Sequence, residues 1–267
     1  MYDESMQIVN NTLPFDASGD TPTMRLFALL EVISATDQLH TLQSLVEETG
    51  LPKATLHRML QQLEAAELLQ REGDNRHYGI GPRLRRLAEN LLLNDTQRGA
   101  RHTVLRKLVE QVGESCNITA LSGDEVVYLD RVETAAPLRF YLRAGSRVPV
   151  HCSASGKVLL AQMSPAQRRR LLAHAPLEKF TATTNTDLER LEREIARVRK
   201  NGYALDEEEF LPGLMCVAVL VPRETGPSNL CVAVQAPTIR ATPEKARQWL
   251  PALRSAAQAI GRIDTGA

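Results

Sequence analysis

The chain has 267 residues, enough for one large domain or two modest ones, and 43% of them are apolar, so a core can be buried. Only 4% are aromatic, too few for the stacking surface with which proteins bind single-stranded nucleic acid. The 32 basic and 32 acidic side chains cancel, so any binding to nucleic acid must come from a local basic patch and not from the field of the whole chain.

Two sequence features bear on the cellular compartment. No apolar run approaches the roughly 20 residues of a membrane helix, and residues 1–20 lack the basic start and apolar stretch of a secretory signal. We interpret residues 1–20, which are polar, as a flexible arm, and we expect a cytoplasmic protein without a membrane partner. Four cysteines lie in or beside apolar runs, with no C-x-x-C pair, and are expected to be buried thiols and not zinc ligands or disulfides: Cys116, Cys152, Cys216 and Cys231.

Three short helices are predicted within residues 21–66. The first begins at Thr21 and has apolar residues at i, i+3, i+4 and i+7. Thr41 is the predicted N-cap of the second helix and Gly50 its end, and the third helix runs from about Lys53 to Ala66. The inward positions are Leu26, Leu29, Leu30 and Ile33, then Leu42, Leu45 and Val46, then Leu56, Met59, Leu60 and Leu63. Two short helices joined by a tight glycine-containing turn form a helix-turn-helix.

A β-hairpin is predicted directly after the third helix. Residues 68–71 and 76–80 are strand-like, and residues 72–75 form the turn between them. A hairpin in this position is the wing of a winged helix-turn-helix. Residues 21–81 are therefore predicted to form one DNA-binding domain.

The outward face of the third helix and the wing supply candidate DNA contacts. Arg can bond bidentately to guanine, Gln to adenine, and Thr to a phosphate or a thymine methyl group. The candidates are Lys53, Ala54, Thr55, His57, Arg58 and Gln61 on the helix and Arg71, Asn75 and Arg76 on the wing. Residues 41–86 hold seven Lys or Arg and six Asp or Glu. Net charge alone therefore gives weak support, and a winged helix that contacts only other proteins is the alternative.

A linker helix is predicted over residues 82–98. Leu84, Leu87, Ala88 and Leu91 form a narrow apolar stripe, which is typical of a helix that packs on a partner. Residues 94–99 are mixed in character and are the expected hinge.

Residues 99–267 are predicted to be a second domain of strands and helices. After a helix that ends at Gly113, strands are predicted at 116–121, 125–132, 137–142, 216–221 and 230–236, and helices at about 155–161, 165–173 and 187–201. Thr242 and Pro243 start a last helix, which Pro251 is predicted to kink. Strands with helices between and after them indicate an α+β fold.

Residues 151–160, HCSASGKVLL, concentrate reactive residue types. A P-loop is excluded because His151 stands where its first Gly belongs and Val158 where its Ser or Thr belongs. Cys152 and His151 are neighbours on a predicted strand, so they point to opposite faces and are expected to be packing residues, not a nucleophile pair. The sequence has neither G-x-S-x-G nor H-E-x-x-H. We predict no enzyme, no catalytic residue, no cofactor and no metal, with Lys157 at the surface or at a helix start. A Cys-dependent hydrolase is the alternative.

Four blocks of sequence together resemble one family, the IclR-type (isocitrate lyase regulator) bacterial transcription factors. They are LPKATLHRMLQQLEAAELLQREGDNRHYGIGPRL in the winged helix, then GSRVPVHCSASGKVLLA, NGYALDEEEFLPGLMCVAV and CVAVQAP. The resemblance covers residues 21–260. It implies a winged helix-turn-helix, a linker helix and a GAF-like effector domain that binds a small organic acid. It also implies a dimer formed through the winged-helix and linker region, and often a tetramer.

The resemblance places an effector pocket at Ser153, Ala154, Ser155, Asp206, Cys216, Ala233 and Gln235. Family members that bind small oxo-acids tend to have Ser at the last two positions, often Gly at the position of Ala154 and often Ala at that of Ser155. A ligand other than a glyoxylate-like acid, such as an aromatic or sugar acid, is therefore expected. Strand alternation agrees, since it places Cys231, Ala233 and Gln235 on one face. N–H groups at the helix start after Ser153 favour a carboxylate, and Asp206 is expected on a loop.

The predicted function follows from these domains. We expect a ligand-responsive regulator, a repressor or an activator, that binds a palindromic double-stranded operator as a homodimer or homotetramer. A carboxylate or aromatic acid in the effector domain would alter operator binding, and RNA polymerase is a further candidate partner.

Overall fold

The computed structural model describes residues 21–35, 39–72, 76–93, 98–175, 177–224 and 226–265. The chain divides after Ala88 into two compact units, which are described one at a time. Within these ranges, no helix is both long and apolar enough to cross a membrane.

The first unit combines three helices with a small sheet. Its elements are helix α1 (Pro22–Ala35), strand β1 (His40–Thr41), helices α2 (Leu42–Thr49) and α3 (Lys53–Ala65), strands β2 (Leu69–Glu72) and β3 (His77–Ile80), and the first part of helix α4 (Pro82–Leu93). The strands pair antiparallel in the order β1-β3-β2. The three predicted helices and the hairpin are confirmed. Strand β1 was not predicted, because two residues are too few to show a strand pattern.

Local signals explain the helix-turn-helix. The Thr41 side chain accepts a hydrogen bond from the Ser44 N–H, and the Ser44 side chain bonds back to the Thr41 N–H, so two donors at the start of α2 are satisfied. Gly50 ends α2 with a φ of +67°, a left-handed conformation that glycine adopts without strain. The inward stripe of α3 is then buried with Leu29 of α1 and Tyr78 of β3 in one core.

The second unit is built around a six-stranded antiparallel sheet. Its elements are helix α5 (Arg98–Val112), strands β4 (Ser115–Ser122), β5 (Glu125–Val132) and β6 (Arg147–Pro149), helices α6 (Ala154–Gln162), α7 (Pro165–His174) and α8 (Leu188–Asn201), strands β7 (Ala204–Glu207), β8 (Leu214–Leu220) and β9 (Leu230–Pro237), and helices α9 (Pro243–Gln248) and α10 (Leu250–Thr265). The strand order is β6-β5-β4-β9-β8-β7. This sheet, with helices between and after its strands, confirms the α+β class.

Helices cover both faces of the sheet. Helices α5 and α10 pack on one face, against Val217 and Val219 of β8, and α6 and α8 pack on the other, against Cys216 and Ala218. Successive side chains point to opposite faces of a strand. Because both faces are buried, β8 reads as an unbroken apolar run, LMCVAVL.

Residues 137–142 were predicted to be a strand, and this prediction is wrong. They form an irregular segment whose backbone carbonyls accept from a side chain instead of from a strand. The Arg131 guanidinium donates to the carbonyls of Phe140 and Leu142, at 3.0 Å for the latter. The strand that pairs with β5 is β6, a few residues later.

Three further predictions of local structure are corrected. Asp206 does not lie on a loop but in the edge strand β7, where it pairs with Cys216. His151 and Cys152 do not lie on a strand, because β6 ends at Pro149 and residues 150–152 form a turn. Pro251 does not kink a helix, since it lies in the first turn of α10, where no N–H is needed.

Of the two alternatives predicted for Lys157, the helix start is confirmed and the surface position is wrong. Lys157 lies in the first turn of α6, but its side chain is fully buried. Its Nζ donates to Glu209 Oε1 at 2.5 Å and to Glu194 Oε1 at 2.6 Å. Two carboxylates supplied by distant parts of the chain therefore make burial of this ammonium group tolerable.

Candidate functional site

The first candidate site is the outward face of α3. Lys53, Ala54, His57, Arg58 and Gln61 are exposed there, and Thr55 is half-buried at its edge. They lie opposite the buried stripe because the helix repeats every 3.6 residues. The face thus presents two cations, an amide and a hydroxyl group that can donate to phosphates or base edges.

The wing contributes less than the sequence predicted. Arg71 is half-buried, and its Nε lies 3.1 Å from Glu64 Oε2, with the guanidinium 4.2 Å from the centre of the Tyr78 ring. Its charge is therefore partly neutralised inside the unit. Arg76 is exposed in the turn just before β3, whereas Asn75 lies outside the described residues.

Helices α4 and α1 each expose large apolar side chains. In α4, Leu87 is 50% exposed and Leu91 is 65% exposed, and both belong to the predicted apolar stripe. In α1, Met24 and Phe27 are more than half exposed and lie one turn apart. Apolar faces of this kind usually mark an interface.

The second candidate site is a small pocket in the second unit, between the start of α6 and the sheet, whose edge strand β7 contributes Asp206. Six of the seven predicted effector residues line it: Ser153, Ala154, Ser155, Asp206, Cys216 and Gln235. Ala233 is outside this lining and is buried between Asn117 and Ala218 on the neighbouring strands. The free space inside the pocket amounts to about 10 Å³, room for roughly one water molecule.

Five further lining residues were missed by the sequence reasoning: Thr119, Tyr128, Val148, Phe210 and Leu214. One signal could have found Thr119. It is a polar residue on a strand whose other face is apolar, and buried polar groups need partners.

The polar groups of the pocket form an incomplete network. Gln235 Nε2 donates to the Tyr128 hydroxyl at 3.2 Å, and Asn117 Nδ2 donates to Gln235 Oε1 at 3.5 Å. The Thr119 hydroxyl is buried and makes no hydrogen bond to any described residue. A buried hydroxyl without a protein partner is costly unless another molecule supplies one.

The start of α6 forms one wall of the pocket. Ser153 caps the helix, since its Oγ accepts from the Gly156 N–H at 3.2 Å and donates to the Pro149 carbonyl at 2.6 Å. The N–H groups of Ala154 and Ser155 occupy the first turn, where a helix offers no acceptor of its own. They give this wall a positive potential that suits a carboxylate.

Asp206 also lines the pocket, and its side chain is negatively charged when deprotonated. Its carboxylate accepts from the N–H groups of Glu209 and Phe210, at 2.8 and 3.3 Å. Burial raises the pKa of Asp206 to about 7, and Glu209 adds to the rise, while Lys157 and the two N–H bonds oppose it. Near neutral pH, the pocket therefore holds a carboxyl group poised between its two protonation states.

The loop after β7 closes the pocket from outside. Phe210 lines the pocket and packs edge-on against Phe180, with ring centres 5.6 Å apart, and Phe180 in turn contacts His151. The Thr184 hydroxyl donates to the Glu209 carbonyl at 2.6 Å. A second loop thus braces the one that carries Phe210.

His151 and Cys152, the neighbouring reactive residue types of the HCSASGKVLL segment, are both buried. Burial lowers the pKa of His151, and its Nε2 donates to the Glu178 carbonyl at 3.0 Å. Burial raises the pKa of the Cys152 thiol above its usual range, and Asp206 adds to the rise. A neutral, buried thiol is a poor nucleophile.

Comparison with known proteins identifies the two units. The IclR helix-turn-helix domain matches residues 22–73, and the C-terminal domain of the bacterial transcriptional regulator IclR matches residues 96–262. The probable transcriptional regulator SauR of Cupriavidus necator is 46% identical over 239 residues, which are 90% of this chain and 95% of that protein. The transcriptional repressor IclR of Escherichia coli is 29% identical over 236 residues, 87% of this chain and 86% of that one.

Solved structures agree. The IclR of Thermotoga maritima superposes with a TM-score of 0.60 at 26% identity, covering 90% of this chain and 97% of that chain. An IclR homolog from Microbacterium hydrocarbonoxydans, solved in complex with 4-hydroxybenzoate, gives a TM-score of 0.57 at 25% identity, with coverages of 92% and 99%. The chain belongs to the IclR family of bacterial transcriptional regulators.

Proposed function

We propose that this regulator binds a double-stranded operator through α3 and that a small organic acid in the pocket changes that binding. The observation that carries the DNA half is the exposed face with Arg58 and Gln61 opposite the buried stripe of α3. A helix presented in this way fits the major groove. The alternative of a winged helix for protein contacts alone is disfavoured, because this face is polar and basic, while the large apolar residues exposed in the described part of the first unit lie on α1 and α4.

The pocket supports an acid that carries an apolar body. The N–H groups at the start of α6 and the Thr119 hydroxyl would hold the carboxylate, and Gln235 offers an amide. Val148, Phe210 and Leu214 offer apolar contact. A relative solved with 4-hydroxybenzoate makes an aromatic acid a reasonable first probe.

Ligand entry would require movement of the protein. The free space of about 10 Å³ is far too small for a benzoate, so side chains such as Phe210 must shift to admit it. A ligand that binds one arrangement better than another shifts the population toward it. Because a ligand cannot enter the pocket without such movement, we expect its binding to change the structure and so to alter operator binding.

We infer that the working form is a homodimer on a roughly palindromic operator. The exposed Phe27 of α1 and Leu87 and Leu91 of α4 are suited to be covered by a second copy of the chain. We include in this proposal a homotetramer as the alternative assembly, RNA polymerase as a further partner, and the cytoplasm as the compartment in which the protein binds DNA. No enzymatic role is proposed, because the buried His151 and Cys152 make no nucleophile pair.

Selection of duplexes from a random pool by the purified protein tests the DNA half. Arg58→Ala should weaken binding to the selected duplex by about 1–3 kcal/mol, roughly 5- to 150-fold. Arg106→Ala is the matched control, since it removes another exposed arginine, from α5. Unchanged binding by Arg58→Ala would remove this residue from the reading surface, and sedimentation on a palindromic duplex would count the protomers.

A thermal-shift screen against carboxylates and aromatic acids tests the ligand half, since a ligand of the native state raises its stability. Gln235→Ala should alter the shift produced by an acid while leaving duplex binding of the unliganded protein within about twofold. If the variant stays folded and loses duplex binding, the assignment of separate tasks to the two units is wrong.

A further inference from the structure

Strands β5 and β6 each carry a residue that lines the pocket and, within two positions of it, a residue that is bonded to helix α4 or α5. In β6, Val148 lines the pocket and Arg147 is its neighbour. In β5, Tyr128 lines the pocket and Asp130 lies two residues later. The linker region is the end of α4 and the start of α5, and residues 94–97 between them lie outside the described residues.

The contact from β6 goes to α4. Glu89 of α4 is bonded to the guanidinium of Arg147 and to the hydroxyl of Ser122 at the end of β4. Its carboxylate is 17% exposed, so water competes weakly for these bonds. Helix α4 begins in the first unit and ends in the second, and Glu89 fixes its later part to the edge of the sheet.

The contact from β5 depends on a β-bulge. Ile118 of β4 pairs with Asp130 and Thr119 pairs with Tyr128, so Leu129 is an extra residue in β5. Without the bulge, Tyr128 and Asp130 would point to the same face. With it, Tyr128 faces the pocket and Asp130 faces α5. Bulges commonly re-aim side chains beside functional sites.

Asp130 joins the start of α5 to the sheet. Its carboxylate lies 3.0 Å from His102 Nδ1 and 3.9 Å from Arg98 Nε, and it accepts from the Arg131 N–H at 2.9 Å. Arg98 is the first residue of α5. The two carboxylates, Glu89 and Asp130, therefore hold the chain on both sides of residues 94–97.

We propose that Glu89 and Asp130 are positioning residues that transmit the state of the pocket to the DNA-binding unit. The inference rests on the proposed function. A ligand that displaces Tyr128 or Val148 moves strands whose adjacent residues hold α4 and α5, so the linker must change with it. Coupling is reciprocal for binding free energies, so DNA binding must also change the surroundings of Tyr128.

This reciprocity allows a test without knowledge of the natural ligand. The chain holds five tyrosines, which are replaced by 3-fluorotyrosine, and the Tyr128 signal in the ¹⁹F NMR spectrum is assigned with Tyr128→Phe. Saturation with the selected duplex should shift this signal in the wild type. In the double variant Glu89→Gln/Asp130→Asn the shift should fall to less than about half, while the affinity for the duplex stays within about threefold.

Glu125→Gln is the matched control. Glu125 also bonds Arg147, at 3.4 Å, but lies on β5, and among the described residues it makes no hydrogen bond or ion pair with α4. In this variant the Tyr128 signal should shift on duplex binding as far as in the wild type. If Glu125→Gln reduced the shift as much as Glu89→Gln does, the loss of any ion pair to Arg147 would explain the effect, and the contact with α4 would not be needed. If Asp130→Asn does not fold, His102→Gln breaks the same contact from the half-exposed side.

Two results overturn the inference. One is a Tyr128 signal that does not move in the wild type on saturation with duplex. The other is a double variant whose signal moves as far as that of the wild type. Failure to select any duplex would instead overturn the proposed function, and this inference with it.

Discussion

Replacement of Lys157 by Met tests how the buried charges beside the pocket are held. The ammonium group is fully buried and lies 2.5 Å from Glu209 and 2.6 Å from Glu194. Methionine keeps most of the volume of the stem, so the cavity left behind is small. Glu194 is 27% exposed and can be hydrated, but Glu209 is 11% exposed and would remain buried without its cation.

The expected loss follows from that asymmetry. Removing one partner of a buried ion pair costs about 3–5 kcal/mol, and because only one carboxylate stays stranded we expect the lower end, about 3 kcal/mol. The double variant Lys157→Met/Glu209→Met should recover most of the loss, because the pair is then replaced by apolar side chains. The loss should also shrink at pH 5, since burial raises the pKa of Glu209 and the stranded carboxylate takes up a proton.

Urea unfolding followed by tryptophan fluorescence measures this quantity. The chain has a single tryptophan, Trp249, buried in the second unit between α9 and α10, so the signal reports the unit that contains Lys157. Free energies come from linear extrapolation. A loss below about 1 kcal/mol for Lys157→Met, or equal losses for the single and double variants, would refute the reasoning.

Two further predictions concern the pocket walls. Because the pKa of Asp206 is raised to about 7, the folded state binds this proton more tightly than the unfolded chain, so the wild type should lose about 2–3 kcal/mol relative to Asp206→Asn between pH 5 and pH 8. The same urea assay at several pH values checks this, and parallel pH profiles would contradict it. Gly156→Ala should destabilise the second unit by about 1–3 kcal/mol or more, because a Cβ would lie 2.1 Å from the Val150 carbonyl oxygen. Gly99→Ala, which meets nothing within 4 Å, should be neutral or slightly stabilising, and equal effects of the two changes would count against the close approach.

Helix ends were the most predictable part of the fold, because their signals are local. Thr41 and Thr242 cap helices as expected, and Gly50 and Gly202 end helices in the left-handed conformation. Each signal depends on a few neighbouring residues, so the sequence contains all that is needed.

Lys157 was not predictable because its partners are 37 and 52 residues away. A lone lysine near a helix start normally lies in water, and nothing near it in the sequence reveals Glu194 or Glu209. Asp206 was misplaced for a related reason: β7 has four residues and becomes a strand only by pairing with β8. For residues 137–142, a strand was predicted where none exists, because their apolar residues suggest one. In the structure, Arg131 donates to carbonyl groups of this segment that would bond a neighbouring strand if the segment were in the sheet.

The pocket residues were predicted mainly from the resemblance to the IclR family, and less from the alternation of side chains along the strands. Alternation alone placed Gln235 on a strand face, and the structure brings that face together with Cys216 of β8 beside α6. Tyr128 could not be singled out because residues 126–129 are apolar on both faces of β5, and alternation fails only after it, between Tyr128 and Asp130. Phe210 could not be placed because it lies on a loop, whose direction the sequence pattern does not determine.

The bulge at Leu129 sets a rule for building biosensors from this protein. Exchanging pocket side chains with those of a relative is safe only if the number of residues in β5 is kept. Deleting one residue there would restore plain alternation and turn either Tyr128 or Asp130 to the wrong face. Grafts that recombine ligand specificity should therefore take Glu125–Val132 as one block, since this keeps Tyr128 toward the pocket and Asp130 toward α5.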